Sequence, residues 1–367
     1  MNKSTKVRAL GLMSGGLDSM LAVRVLLDQD IEMTGITFQT PFFGPEGAQK
    51  AARQLRIPLR VIDIGAVHLE MLKNPKYGYG SQMNPCIDCH ALMLKTAGGI
   101  MDAEEFDFLC TGEVLGQRPM SQRKDALRAV DKLSGYGRYI LRPLSAKLLW
   151  ETVPEELGQV DRQRLLDING RSRKPQMALA AHYGIEEYPS PGGGCILTKA
   201  GFADRLRDLL ATQEEVGIHD VELLKCGRQL RLPGGRRLVV GRIHADNLKL
   251  QELAREEDLL LRVKGVPGPT GLIAAQVSEQ EVELAANIVA SYSDTPTGED
   301  AIVVLSGREN REITVKTPPK EDFRELLIKS SVRCQSSVVK RVPCNGQRTK
   351  NYEPRTRRLT DINGQTS

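Results

Sequence analysis

No apolar run in this chain approaches the length of a membrane-spanning segment, so a membrane is not an expected partner. The start, Met1-Asn2-Lys3-Ser4-Thr5-Lys6, leads straight into an apolar strand and leaves no room for a signal peptide; a cytoplasmic location is expected. The seven cysteines are odd in number and lack a secretory signal, which argues against a structural disulfide framework and towards metal or redox chemistry. The first glycine-containing loop also lacks two common phosphate-binding spacings, Gly-x-x-x-x-Gly-Lys-Ser/Thr and Gly-x-Gly-x-x-Gly.

What that loop does contain is Ser14-Gly15-Gly16-Leu17-Asp18-Ser19, between the apolar run Val7 to Met13 and the amphipathic run Met20 to Leu27. The pattern reads as strand, tight loop and helix N-terminus. A helix start offers orphan N–H groups and the positive end of the dipole, and paired glycines let an anion approach the backbone. Ser14 and Ser19 add hydroxyl donors. Asp18 would repel a phosphate unless a divalent cation lay between them, so Mg²⁺ is expected on Asp18. In isolation the same residues would also make a glycine turn with a helix cap.

The 367 residues are enough for two domains. The net charge of +5 fits a phosphate-rich partner and fits a solvated basic surface as well. Strands at Met33 to Phe38 and Leu59 to Ile64 alternate with a helix at Pro45 to Leu55, which calls for a doubly wound parallel sheet. Ligands then bind at the carboxyl edge, where the loop after Phe38 would flank an adenine. Strand Phe108 to Thr111 ends in Gly112-Glu113-Val114-Leu115-Gly116-Gln117 at that edge. Arg142 and Lys147 follow, either to hold a triphosphate or RNA or as solvated bases. Helices are expected at Trp150 to Leu157, Asp161 to Ile168 and Lys174 to Tyr183.

Cys86 and Cys89 stand at C-x-x-C spacing before a helix expected over Ala91 to Met101, where thiolates are favoured. Cys195 follows three glycines, so its thiol can be approached closely. Cys110 and Cys226 read as packed, Cys334 and Cys344 have no metal-like spacing, and His90 reads as an ordinary helix-start histidine.

Together, Ser14 to Ser19, Asn84-Pro85-Cys86-x-x-Cys89, Gly112-Glu113-x-x-Gly116-Gln117 and Gly194-Cys195 resemble the tRNA thiouridine synthases of the PP-loop ATP pyrophosphatase superfamily. The run Pro189 to Thr198 resembles a subgroup fused to an RNA-binding domain. The resemblance runs to about Leu210. It implies an α/β fold, a doubly wound parallel sheet of the adenine nucleotide alpha hydrolase type, with a smaller C-terminal α+β domain. It implies ATP-dependent adenylation of a uridine carbonyl oxygen, then replacement by sulfur from sulfide or a persulfide carrier. ATP would be held by Met13, Ser14, Gly15, Gly16, Asp18, Ser19, Phe38, Gly112 and Gln117, with Asp18, Cys86, Cys89 and Cys195 catalytic. Such enzymes use either a persulfide pair or three cysteines on a [4Fe–4S] cluster. Cys86, Cys89 and Cys195 suit the cluster, since full ligation would need a fourth thiolate; zinc ranks below both. An amidating ligase would leave the thiols unexplained, and an RNA-binding factor that only senses nucleotide is the alternative from another class.

From Asp220 the pattern changes to α+β, with strands expected at Val221 to Leu224, Leu238 to Gly241, Leu259 to Val263 and Ala301 to Ser306, and helices at Ala245 to Arg255 and Glu279 to Tyr292. Leu224-Lys225-x-Gly227-Arg228 and Val240-Gly241-Arg242 resemble the RNA-binding domain of ribosome-associated quality-control factors. Lys225, Arg228, Arg231, Arg236, Arg237 and Arg242 would contact tRNA phosphates from one sheet face, or form a charged solvent face. The chain begins at the catalytic strand, unlike synthases with an N-terminal RNA-binding domain, leaving the C-terminal domain as the expected tRNA holder. The expected organisation is a catalytic domain over 1–210, an RNA-binding domain over 211–330 and a basic, disordered tail over 331–367.

Overall fold

The computed structural model describes residues 6–190, 195–273, 277–307 and 310–328. The expected tail, with Cys334 and Cys344, and Gly192 to Gly194 of the glycine run lie outside them. Among the described residues no helix is long and apolar enough to cross a membrane.

The first half alternates as expected: β1 (Arg8–Leu12), α1 (Leu17–Leu27), β2 (Glu32–Gln39), α2 (Glu46–Leu55), β3 (Leu59–Asp63), α3 (Gly65–Lys73), α4 (Cys86–Ala103), β4 (Phe108–Thr111), α5 (Lys124–Ser134) and β5 (Ile140–Leu141). The strands form a parallel sheet in the order β3-β2-β1-β4-β5. Both faces are covered, which is why the central strands read as apolar runs rather than alternating ones. Ala9 packs on one face with Leu17, Leu21 and Ala48 of α1 and α2. Its neighbour Leu10 packs on the other with Ala91, Leu94 and Val130 of α4 and α5. The sheet is therefore doubly wound. Its order reverses between β1 and β4, and the crevice beyond their carboxyl ends is where such sheets bind ligands.

The chain continues through α6 (Val153–Glu156), α7 (Lys174–His182), α8 (Ala200–Thr212) and α9 (Ile218–Lys225). A six-stranded antiparallel sheet follows, ordered β11-β10-β8-β9-β7-β6, from β6 (Arg228–Arg231), β7 (Arg237–Val240), β8 (Leu259–Val263), β9 (Gly271–Ile273), β10 (Asp300–Gly307) and β11 (Arg311–Lys316). Helix α10 (His244–Leu253) lies between β7 and β8, and α11 (Glu279–Ser291) between β9 and β10. Val282, Ala285, Ala286 and Val289 of α11 pack on this sheet. The smaller α+β unit is thus present.

Four local expectations are corrected. Val221 to Leu224 is helical: Val221 and Leu224, one turn apart, are both buried with Phe202 and Leu206 of α8, and the Asp220 carboxylate accepts the Gly217 N–H at 2.8 Å. Four apolar residues carry no periodicity that separates strand from helix. The helix expected at Trp150 shortens to α6, opened by a Thr152/Glu155 capping box. That expected at Asp161 is one 3₁₀ turn, Arg162–Arg164. Helix α4 begins at Cys86, so both cysteines of the C-x-x-C lie on its first turn.

Candidate active site

Strand β1 runs out at Leu12, and Met13 still donates its N–H to the Ile36 carbonyl at 2.9 Å before the chain turns. Gly15 makes that turn at φ 79°, and a Cβ there would sit 2.2 Å from the Gly47 carbonyl carbon, so only glycine fits. Gly16 caps α1 with extended backbone. The Ser14 hydroxyl accepts the Gly16 N–H at 3.3 Å, and Ser19 donates to the Gly16 carbonyl at 2.7 Å. This leaves an exposed Ser14 at the mouth of a backbone cradle on the positive end of α1. Met13 and Phe38 are core residues, each 3% exposed.

The loop after β4 closes on the same helix turn. A Cβ on Gly112 would meet Ser19 N at 2.4 Å and Asp18 C at 2.5 Å. Gln117 then donates its amide to Asp18 Oδ2 at 2.8 Å and accepts from Gln176 Nε2 of α7 at 3.0 Å. Asp18 Oδ1 is buried with no hydrogen-bond partner, as is Gln176 Oε1. An ionised carboxylate oxygen left bare in this way is costly unless a cation meets it, so the residue fits a hard cation such as Mg²⁺. Gln176 was missed by sequence reasoning; a lone glutamine on a helix gives no local signal.

Beneath this lies a buried charge network. Glu113 accepts from Arg142 Nε at 2.9 Å and Thr111 Oγ1 at 3.2 Å, and pairs with His90 Nδ1 at 2.8 Å. Arg142 also binds Asp131 at 2.8 Å. Burial would raise the Glu113 pKa, but the Arg142 charge and the His90 hydrogen bond prevail and hold it at about 2. Arg142 is 4% exposed and fully engaged. It anchors the Glu113 loop rather than holding a triphosphate or RNA from the surface. Lys147 donates to the Gln163 carbonyl at 2.8 Å.

The three cysteines come together from two segments more than a hundred residues apart in sequence. Met83 donates its N–H to the Leu197 carbonyl at 3.2 Å, clipping the loop before α4 to the segment after Cys195. Leu197 and Cys195 join Phe42, Leu72 and Met83 in one apolar cluster. Asp88 fixes the loop from behind by accepting the Lys76 and Tyr77 N–H groups at 2.8 and 3.0 Å. Cys86 accepts from Asn84 at 3.2 Å, and Cys89 lies 3.3 Å from His68 Nε2. Burial raises the Cys89 thiol well above the usual range, reinforced by Cys195 and Cys86, and raises Cys195 to about 11. At Cys89, helix-start activation is therefore outweighed by burial and by repulsion from the neighbouring thiols. Among the described residues no group of three or more His, Cys, Asp or Glu side chains that could hold a metal ion is found. Cys110 and Cys226 are packed, at 1% and 4% exposure. His90 spends its Nδ1 on Glu113.

On the second sheet, Arg231 and Arg237 both reach Asp208 of α8, at 2.5 and 2.6 Å, and are used internally. Lys225 pairs with Glu222 on α9 at 2.6 Å. Arg228 donates to the Gly241 carbonyl at 3.0 Å and lies over the Tyr292 ring. Arg236 and Arg242 are exposed. The six bases therefore do not share one free sheet face.

A parallel sheet with a Ser-Gly-Gly-x-Asp-Ser loop at its switch point defines an α/β protein with an anion-accepting cradle at the carboxyl edge of its sheet. Residues 4–147 match the family described as Thiamine biosynthesis protein (ThiI), and residues 227–327 match the NFACT protein RNA binding domain. The motif resemblance is borne out on both segments. The chain is 31% identical over 125 residues to a tRNA-specific 2-thiouridylase MnmA from Syntrophotalea carbinolica, covering 30% of this chain and 35% of that protein. It is 24% identical over 212 residues to the protein of the same name from Geotalea uraniireducens, covering 50% and 52%. The chain thus spans about half or less of the curated relatives it matches. A solved 4-thiouridine synthetase in complex with RNA and ATP is similar at 24% identity and a TM-score of 0.31, over 37% of this chain and 36% of that one.

Proposed function

We propose that the chain thiolates a uridine of tRNA at the expense of ATP, in the cytoplasm, with 1–210 as the catalytic domain and 211–330 holding the tRNA. The observation that carries this reading is Asp18, with one oxygen held by Gln117 and the other buried and bare, in a protein that also gathers Cys86, Cys89 and Cys195.

The uridine carbonyl oxygen attacks the α-phosphorus of ATP, and pyrophosphate leaves. Ser14, Gly15, Gly16 and Ser19 receive the phosphates on the α1 cradle, where fixed dipoles stabilise charge as it develops. Asp18 would hold Mg²⁺, which neutralises charge on the departing pyrophosphate. Gln117 and Gly112 keep Asp18 in place. Sulfide then adds to the activated carbon, and AMP departs with the original oxygen, leaving a thiocarbonyl and releasing a proton. Cys86, Cys89 and Cys195 would hold a [4Fe–4S] cluster, which would supply a binding site for the incoming sulfide. The surrounding apolar cluster of Phe42, Leu72 and Leu197 keeps water from competing with sulfur. Lys225, Arg228 and Arg242 are proposed as contacts for the RNA backbone.

The test is nucleoside mass spectrometry of tRNA from cells lacking this protein, with thiolation restored by the wild-type chain and not by Asp18→Ala. An unchanged thiouridine profile, with no AMP formed from ATP in the presence of tRNA, overturns the enzyme reading in favour of a nucleotide-sensing RNA-binding factor.

A further inference from the structure

Helix α5 begins just beyond the loop that carries Gln117, and its outer side is basic without carboxylate partners among the described residues. Ala126, Leu127 and Val130 bury the inner side. Lys124, Arg128 and Lys132, spaced i, i+4 and i+8, form an exposed row about 12 Å long. None of the three side chains has a hydrogen bond or a carboxylate within ion-pair distance among the described residues, and neither does that of the exposed Arg118 that follows Gln117. The acids nearby are engaged elsewhere. Asp125 pairs with Arg123 at 2.9 Å, Asp131 with Arg142, Glu155 and Glu151 with Arg162, and Glu156 with Arg138. Like charges at i, i+4 cost a helix a few tenths of a kcal/mol per pair, on the order of 0.2–0.5, so the row is a local liability.

Beside it stands Trp150, the single tryptophan of the chain, 41% exposed. The Arg128 guanidinium lies 4.1 Å from its ring centroid and the Lys124 ammonium 5.2 Å away. Trp150 and the exposed Tyr139 also line a cleft of about 620 Å³, which Lys132 borders. Unpaired cations around an exposed aromatic ring are the components of single-stranded nucleic-acid recognition: phosphates meet the bases of the row, and a nucleobase stacks on the ring.

We propose that the outer side of α5, with Trp150, is an RNA-docking surface that leads the strand towards the Asp18–Gln117 loop pair. It is separate from the bases of the second sheet, and it rests on the reading of tRNA as substrate. The row tracks the backbone, and Trp150 receives an unstacked base near the cleft.

Because Trp150 is the only tryptophan, its fluorescence reports on this surface in the unmodified protein. Titration of the full chain with an in vitro tRNA transcript should quench and shift that emission along the same curve as binding measured by filter retention. The variant Lys124→Gln/Arg128→Gln/Lys132→Gln, checked for an unchanged urea midpoint, should bind the transcript at least about tenfold more weakly. Its plot of log affinity against log salt should be shallower by about 2–3, roughly one unit for each phosphate that the row no longer neutralises. If the transcript binds while Trp150 emission stays constant and the variant keeps the wild-type slope, the surface is refuted and tRNA docks elsewhere. If the wild-type chain binds no transcript, the tRNA reading falls and this surface with it.

Discussion

Gln117 donates its amide to Asp18 at 2.8 Å and so joins the loop after β4 to the first turn of α1 across the point where the sheet order reverses. One oxygen of Asp18 is thereby oriented and the other left bare. Losing the orienting partner should cost about 10–100-fold in ATP-to-AMP turnover for Gln117→Ala, in line with other residues that position a metal-holding carboxylate. Asp18→Ala should abolish turnover. Both should bind tRNA as the wild type does. Pyrophosphate release and filter retention measure the two properties separately, and a variant that no longer binds tRNA would contradict a role for this residue pair in adenylation alone.

Gly15→Ala and Gly112→Ala should each destabilise the protein by about 2 kcal/mol or more. Each would drive a methyl group to within 2.6 Å of backbone, and Gly15 adds its positive φ. Urea unfolding reads the effect as a lower midpoint at unchanged m-value. A neutral Gly112→Ala would mean that the two loops do not touch.

Acid should weaken the Glu113 network. The carboxyl sits at about 2 in the folded chain against its ordinary 4.5, so the folded state stays ionised where the unfolded state takes up a proton. The contribution of Glu113 is complete above about pH 4.5 and is lost as pH falls towards 2, on the order of 3 kcal/mol in all. Unfolding free energies measured across that window should decline. Glu113→Gln should be less stable at neutral pH, because Arg142 loses a buried partner, and should show a flatter acid limb.

Anaerobically purified protein should be brown, with the charge-transfer absorbance of an iron–sulfur cluster. Cys86→Ala, Cys89→Ala and Cys195→Ala should each bleach it and stop thiolation. Cys110→Ala should retain the colour, since that thiol is packed inside β4. A colourless wild-type protein that still thiolates tRNA would replace the cluster with a persulfide pair.

The parts of this protein that the sequence discloses are those whose physics is local. Glycine-controlled turns, the Ser14 to Ser19 loop and the βα alternation each fit within a short window, and their positions in the fold match the reading. The Glu113–Arg142–Asp131 network is invisible there, because it is assembled across β4, β5 and α5 and nothing in Leu-Arg-Pro-Leu distinguishes a buried arginine from a solvated one. Gln176 was silent for the same reason. The C-x-x-C spacing points to paired thiols but not to the burial that raises Cys89. Val221 to Leu224 went astray because its helical character depends on α8, against which it packs.

The order in which the segments arrive carries a consequence for the chain as it is made. β1 to β5 complete the parallel sheet by Leu141, and the cradle and Asp18 are in place by then. Gln176 and Cys195 are still to come. A chain paused at that stage lacks the Gln176 brace on Gln117 and has two of its three thiols. Under the proposed chemistry the residues for adenylation are made before the last residue for sulfur delivery, so the complete site waits on Cys195.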